Sequence, residues 1–261
     1  MADLVVDTPA GQKRLIGDVT LKPLPKTGDG QWHDGNAGDE PFLYYASATQ
    51  IEVGVLACHQ YGGNRSSVQS WGLEGIPGVV LAANEFGGPD QVHPGNFERC
   101  KRVIDKLKTD WGITKFIVCG VSGGGRMASG VPCVYPGIVG GSVVQLGIYD
   151  VAWFYEDTVA RGDNGTANQL VSDCGGVPPN VISDLCSPRF FVQNASDCIF
   201  RIDRKEGDSV VTPRHQTQFF NDLNALPASA NITATMRSLA GGHAPDYTWV
   251  RQQIAELIPL L

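Results

Sequence analysis

Three glycine-rich stretches hold most of the residues in this chain that can do chemistry. In "CGVSGGGRMASG", Cys119 to Gly130, Ser122 sits in the pattern Gly120-x-Ser122-x-Gly124. That spacing lifts a serine hydroxyl onto a sharp strand-to-helix turn, where it can attack an acyl carbon. The same letters spell Gly123-x-Gly125-x-x-Ala128, a relaxed form of the loop whose backbone amides cradle a pyrophosphate. Both readings need a strand before the loop and a helix after it, so the loop alone does not separate them.

Distant residues separate them. A dinucleotide loop normally follows the first strand and has an acidic residue about twenty positions on. Here at least two strand-like runs precede the loop, and the nearest downstream acid is Asp150. An attacking serine instead needs a histidine to take its proton and a carboxylate to orient that histidine. These follow the serine in the order acid then histidine, each just after a later strand. Asp197 follows the strand-like "RFFVQN" (189–194) and is the expected acid, with Asp203, Asp208 and Asp150 as rivals. His243, in "AGGHAPDYTWV" after the strand-like "ITATMRSL", is the expected base. Of the five histidines only His215 also lies beyond Asp197, and it opens a helical pattern instead of closing a strand.

Acyl transfer also builds negative charge on the carbonyl oxygen, which preorganised backbone amides must meet. One expected donor is Gly123, next to the nucleophile. The other is Gln60 or Tyr61, in "VGVLACHQYGGNRSS", where Gly62 and Gly63 permit close backbone approach. No second metal ligand lies near His59, which is expected to hydrogen-bond beneath that loop. Tyr61, Trp153, Phe154 and Tyr155 are the aromatic candidates for an acyl or aryl pocket, with cap or core packing an equal alternative.

These groups need a scaffold. Short, continuously apolar runs recur at 53–58, 78–83, 115–120, 140–147 and 189–194, as expected of parallel strands covered on both faces. Amphipathic patterns lie at 96–111, 214–226 and 246–259; in the first, Asn96 is the expected cap and Gly112 the stop. Strands alternating with helices predict an α/β domain with a mostly parallel sheet and helices on both faces. Residues 1–50 predict one or two antiparallel strands with a long loop. Residues 148–188 carry one helical pattern and then about twenty loop-like residues. A loop that long is usually functional, so 148–188 is a candidate cap or lid within a single domain spanning 1–261.

A formal net charge of −7 argues against nucleic acid or an anionic membrane surface as the main partner. No apolar run is long enough to span a bilayer. The opening "MADLVVDTPAGQKRL" lacks a signal-peptide pattern, so the chain is expected to be cytoplasmic or a mature secreted form. Seven cysteines leave at least one thiol free, and their spacing suggests no zinc site. Cys58 and Cys119 are expected to be buried; Cys174 and Cys186 bracket a Gly/Pro-rich loop and are candidates for a bridge.

Taken together, "HQYGGN", "GVSGGGRMAS", "YPGIVGGSVVQLG", "NASDCIF" and "GGHAP" resemble the α/β-hydrolase esterases related to polyhydroxybutyrate depolymerases and to feruloyl and acetylxylan esterases. The resemblance covers roughly residues 50–260. It implies hydrolysis of a carboxylic ester, small or at a polymer end, through an acyl-enzyme. Ser122, Asp197 and His243 would form the triad, with no metal or organic cofactor. A peptidase or amidase with the same triad and a non-catalytic binding protein of the same fold are the alternatives.

Overall fold

Runs of Val, Leu, Ile and Ala at residues 53–58, 79–84, 115–121 and 141–145 form the strands β5 (Val53–Cys58), β6 (Val79–Asn84), β7 (Lys115–Val121) and β8 (Gly141–Gln145). Apart from Lys115, every residue in them is buried, which is why they show no polar alternation. The computed structural model describes residues 26–85 and 92–261, together with the backbone of two short antiparallel strands, β1 (Leu4–Val6) and β2 (Lys13–Leu15). The loop expected within the first fifty residues falls largely outside the described residues. The part that is described is a hairpin, β3 (Trp32–Ala37) and β4 (Glu40–Ala46), joined by a tight turn at Gly38-Asp39.

The main sheet is completed by β9 (Cys198–Lys205) and β10 (Ile232–Leu239), in the order β10-β9-β8-β7-β5-β6-β4-β3. Strands β5 to β10 run parallel, and β4 is antiparallel to both of its neighbours. Side chains alternate between two cores. Leu56 and Cys58 of β5 join one face with helices α1 (Gly95–Trp111), α2 (Gly123–Val134) and α6 (Arg214–Asn224). Val53, Val55 and Ala57 join the other with α7 (Tyr247–Leu257) and the 3-10 segment Arg65–Trp71. Among the described residues no helix is long and apolar enough to cross a membrane.

Four expectations are corrected. Residues 189–194 are not a strand: Pro188–Phe190 and Val192–Asn194 are single 3-10 turns, and β9 starts only at Cys198. Its burial alternates, with Cys198, Phe200 and Ile202 facing the core, so no continuous apolar run marks it. The 148–188 insertion is mostly helical: α3 (Val151–Ala160), α4 (Asn164–Asp173) and α5 (Val181–Cys186). Side chains of Asp150, Asp163 and Asn180 accept backbone hydrogen bonds at their starts, the pattern of a cap residue. Helix α1 begins at Gly95 with no side-chain cap, and Asn96 is buried inside it. Cys174 and Cys186 are unbridged; all seven cysteines are buried free thiols, and these two pack into a small third core with Val92, Ile148, Val151, Phe154, Leu170 and Val211.

Candidate active site

Ser122 occupies the single residue between β7 and α2, with φ 55° and ψ −117°. A non-glycine residue there costs on the order of 1–3 kcal/mol, and such strain gathers at functional sites. Its amide donates to the Gln145 carbonyl of β8 at 2.9 Å, and its carbonyl accepts from Arg126 at 3.2 Å. The neighbouring glycines make the turn sterically possible. A Cβ on Gly120 would stand 2.1 Å from the Gly124 carbonyl oxygen, and one on Gly124 would stand 1.9 Å from the Cys58 carbonyl oxygen. The first turn of α2 therefore packs backbone to backbone on the end of β5.

That contact brings the segment after β5 beside the elbow. Gln60 and Tyr61 open a tight turn there, closed by Gly63 N–H donating to the Gln60 carbonyl at 3.0 Å, with Gly62 at φ 73°. His59 lies buried beneath this turn, its Nδ1–H donating to the same carbonyl at 3.0 Å. Burial pushes the His59 pKa below its ordinary value, so the ring is neutral and acts as a prop. The Gly123 amide is the first of α2, and amides in a helix's first turn have no partner within the helix.

His243 stands in the loop after β10, inside a three-residue turn closed by Ala244 N–H donating to the Gly242 carbonyl at 2.8 Å. Its Nδ1 is 2.7 Å from Asp208 Oδ2. Asp208 follows the C-terminal end of β9, its carboxylate fully buried. Its other oxygen accepts from the amides of Val210 at 2.8 Å and Val211 at 3.0 Å. Gly207 N–H donates to the Gly241 carbonyl at 3.0 Å, stitching the acid loop to the histidine loop. A carboxylate on Nδ1 fixes the proton there and leaves the Nε2 lone pair as a base.

The expected acid lies elsewhere. Asp197 precedes β9, at φ 50°, and its carboxylate accepts from Asn231 Nδ2 at 2.9 Å. An eight-residue strand spans roughly 25 Å, so Asp197 sits at the edge of the sheet opposite to Asp208 and His243. The misplaced strand at 189–194 is the cause: moving it to 198–205 turns a residue after a strand into one before it. Of the rivals, Asp203 is buried within β9 against Arg237, and Asp150 caps α3 and pairs with Arg189 at 2.7 Å. Only Asp208 of the four reaches His243.

The aromatic candidates divide as well. Two guanidinium groups lie against the Trp153 ring, Arg189 4.7 Å and Arg214 5.1 Å from its centre. Phe154 is buried in the third core with Arg161 5.5 Å from its ring centre, and Tyr155 packs on the same core. All three make packing contacts with neighbouring side chains. Tyr61 lies in the turn after β5, next to the Cys58–His59 backbone on which Gly124 packs. Asp208 could have been found in the sequence: "KEGDSV" has a Gly-Asp turn after the alternating "CIFRIDRK".

No family model matches the chain, and no curated protein matches its sequence. Solved structures do match. Acylaminoacyl peptidase of Pyrococcus horikoshii superposes with a TM-score of 0.64 at 11% identity, over 98% of this chain and 46% of that one. Esterase B from Lactobacillus rhamnosis gives 0.65 at 13%, over 90% and 87%. Acetyl xylan esterase 1 from Thermoanaerobacterium sp. gives 0.62 at 11%, over 90% and 87%. The chain thus spans less than half the length of that peptidase and most of the length of both esterases. Sheet order, crossovers and these neighbours define one architecture: the chain has the α/β-hydrolase fold.

Proposed function

We propose that the protein is a serine hydrolase acting on carboxylic esters, with Ser122 as nucleophile, His243 as general base and then acid, and Asp208 as the group that orients His243. The hydrogen bond from His243 Nδ1 to the buried Asp208 carboxylate carries this reading. Both residues follow the C-terminal ends of parallel strands, at the sheet edge where Ser122 follows β7.

In this mechanism Ser122 Oγ attacks the acyl carbon as its proton passes to His243 Nε2. The Asp208 charge then steadies the imidazolium. The Gly123 amide and an amide of the Gln60–Tyr61 turn receive the developing oxyanion; one such donor is worth about 3 kcal/mol in the transition state. His243 returns the proton to the leaving alcohol, and water repeats the sequence on the acyl-enzyme. The α3–α5 insertion serves as the cap. Ester chemistry is favoured because the two esterases match this chain over nearly their whole length. The peptidase neighbours support amide hydrolysis as the second reading.

A panel of nitrophenyl esters of increasing acyl length, with feruloyl, acetyl-sugar and hydroxybutyrate-oligomer esters, tests the proposal. Wild type is expected to hydrolyse at least one class and Ser122→Ala none. Full activity in Ser122→Ala would overturn the proposal, and faster cleavage of a matched amide than of its ester would favour the peptidase reading.

A further inference from the structure

Strand β8 lies between the strand that carries Ser122 and the strand that leads to Asp208, yet the mechanism above takes no reacting group from it. Its last residue, Gln145, is completely buried. We propose that Gln145 is a positioning residue whose main chain holds the nucleophile elbow while its side chain holds the histidine loop, so that one buried residue sets Ser122 against His243. The inference rests on the roles proposed for those two residues.

The Gln145 carbonyl accepts from the Ser122 amide at 2.9 Å. Its side-chain Oε1 accepts from the Asp246 amide at 2.9 Å, and its Nε2 donates to the Asp246 carbonyl at 3.3 Å and to Asp203 Oδ2 at 2.8 Å. Both Nε2 hydrogens are thus used. Asp246 lies three residues after His243 and caps α7 through Trp249 N–H at 2.9 Å. One side chain therefore grips both polar groups of a backbone position at the end of the histidine loop. The other end of that loop is held by Gly241 and by the His243–Asp208 bond.

The grip is itself braced. Asp203 faces Gln145 across the β8–β9 ladder and is fully buried. Arg237 of β10 donates to its two oxygens at 2.6 and 3.1 Å, reaches the Asp246 carboxylate at 2.9 Å, and lies 4.3 Å from the Trp249 ring centre. Burial alone would lower the Arg237 pKa, but Asp203 and Asp246 outweigh it and hold it above its ordinary value. The arginine stays charged and neutralises the buried carboxylate. Gln145, Asp203, Arg237 and Asp246 thus form a closed ring joining β8, β9, β10 and α7 at the base of the histidine loop. Only a carboxamide fits the central position. Glutamate cannot donate and would add charge beside Asp203; methionine fills the space without a hydrogen bond.

A loosened histidine loop affects the chemical step more than binding, since displacement of a reacting group by about 1 Å costs on the order of 100-fold in rate. Gln145→Met is therefore expected to lower kcat per folded molecule by about 10- to 100-fold with KM within about twofold, and to slow fluorophosphonate labelling of Ser122 by a similar factor. Arg237→Lys, which keeps the charge beside Asp203 but loses the two-pronged contact, is expected to show the same split more weakly, and it decides the question if Gln145→Met does not fold. Unchanged kcat and labelling in the folded variant, or a loss confined to KM, would overturn the proposal. The His243 ring nitrogens, followed by NMR in the folded proteins, supply a readout that needs no turnover. Their signals are expected to shift in the variant and would be unmoved if Gln145 only filled space. Wild type that neither labels at Ser122 nor cleaves any ester would sink the functional reading instead, leaving this NMR comparison to judge Gln145.

Discussion

At the scale of single residues, the two carboxylates flanking β9 make the sharpest contrast. Asp208 is buried and hydrogen-bonded to His243, whereas the Asp197 carboxylate accepts from Asn231 at the opposite edge. Asp208→Asn leaves His243 with an amide that no longer selects the productive tautomer, and kcat is expected to fall by about ten-thousandfold. Asp197→Asn is expected to leave kcat within about twofold, as for a surface position away from the chemistry. Steady-state kinetics of the two variants on one nitrophenyl ester check both; an inactive Asp197→Asn with a wild-type Asp208→Asn would reverse the assignment. Ser122 and His243 were candidates in the sequence through local signatures, a Gly-x-Ser-x-Gly elbow and a glycine-flanked histidine. The structure places the first on a strand-to-helix turn and the second against a buried carboxylate. The proposed acid has a weaker mark, a Gly-Asp turn after an alternating strand. Its identity depends on where β9 begins, and an alternating strand following two 3-10 turns hides that boundary.

At the scale of elements, the continuous strands and the long amphipathic helices were legible, because burial on both faces or on one face leaves a periodicity. The insertion was not: its helices are short, and their cap residues are the only mark of where they start. The insertion is pinned to α6 by His215, which the mechanism does not use. Its Nδ1 accepts from the amides of Tyr149 at 3.2 Å and Asp150 at 3.3 Å, and its Nε2 faces Asp157 at 3.5 Å. Burial lowers the His215 pKa despite Asp157, and burial lowers that of His59 too. The native rings are neutral, while the unfolded chain takes up protons as pH falls past about 6.5. Stability present above that pH is therefore lost as pH drops toward the folded-state values. Thermal melts of wild type are expected to show Tm falling between pH 7 and pH 5. His215→Gln removes one of the two protons involved, so its Tm is expected to be lower at pH 7 but to fall less steeply. An identical slope would mean that His215 does not contribute.

Across the whole molecule, two large cores grip the sheet from either side, and a third, smaller one sits under α3–α5. Val177, Val181 and Leu185 of this region are exposed. Segments with fewer buried contacts open at lower free energy than the core that carries them. Amides of α3, α4 and α5 are thus expected to exchange with deuterium well before those of β5, β7 and β8. Equal protection in the two regions would show that the insertion and the sheet open as one unit. Motion of this kind would suit the proposed cap role, since substrate would then pass without disturbing the strands that lead to Ser122, Asp208 and His243.

Helix α2 has a consequence for timing. Its sequence, GGGRMASGVPCV, holds four glycines and an internal proline, residues that each disfavour an isolated helix by about 1 and 3 kcal/mol respectively. Nothing local would wind it. It takes shape only once β5, β7 and β8 are assembled around it, and the strained backbone of Ser122 takes shape with it. A newly made or partly unfolded chain therefore carries an ordinary serine. On the proposed reading the nucleophile exists only in the finished molecule, so an incompletely built chain is expected to be chemically harmless.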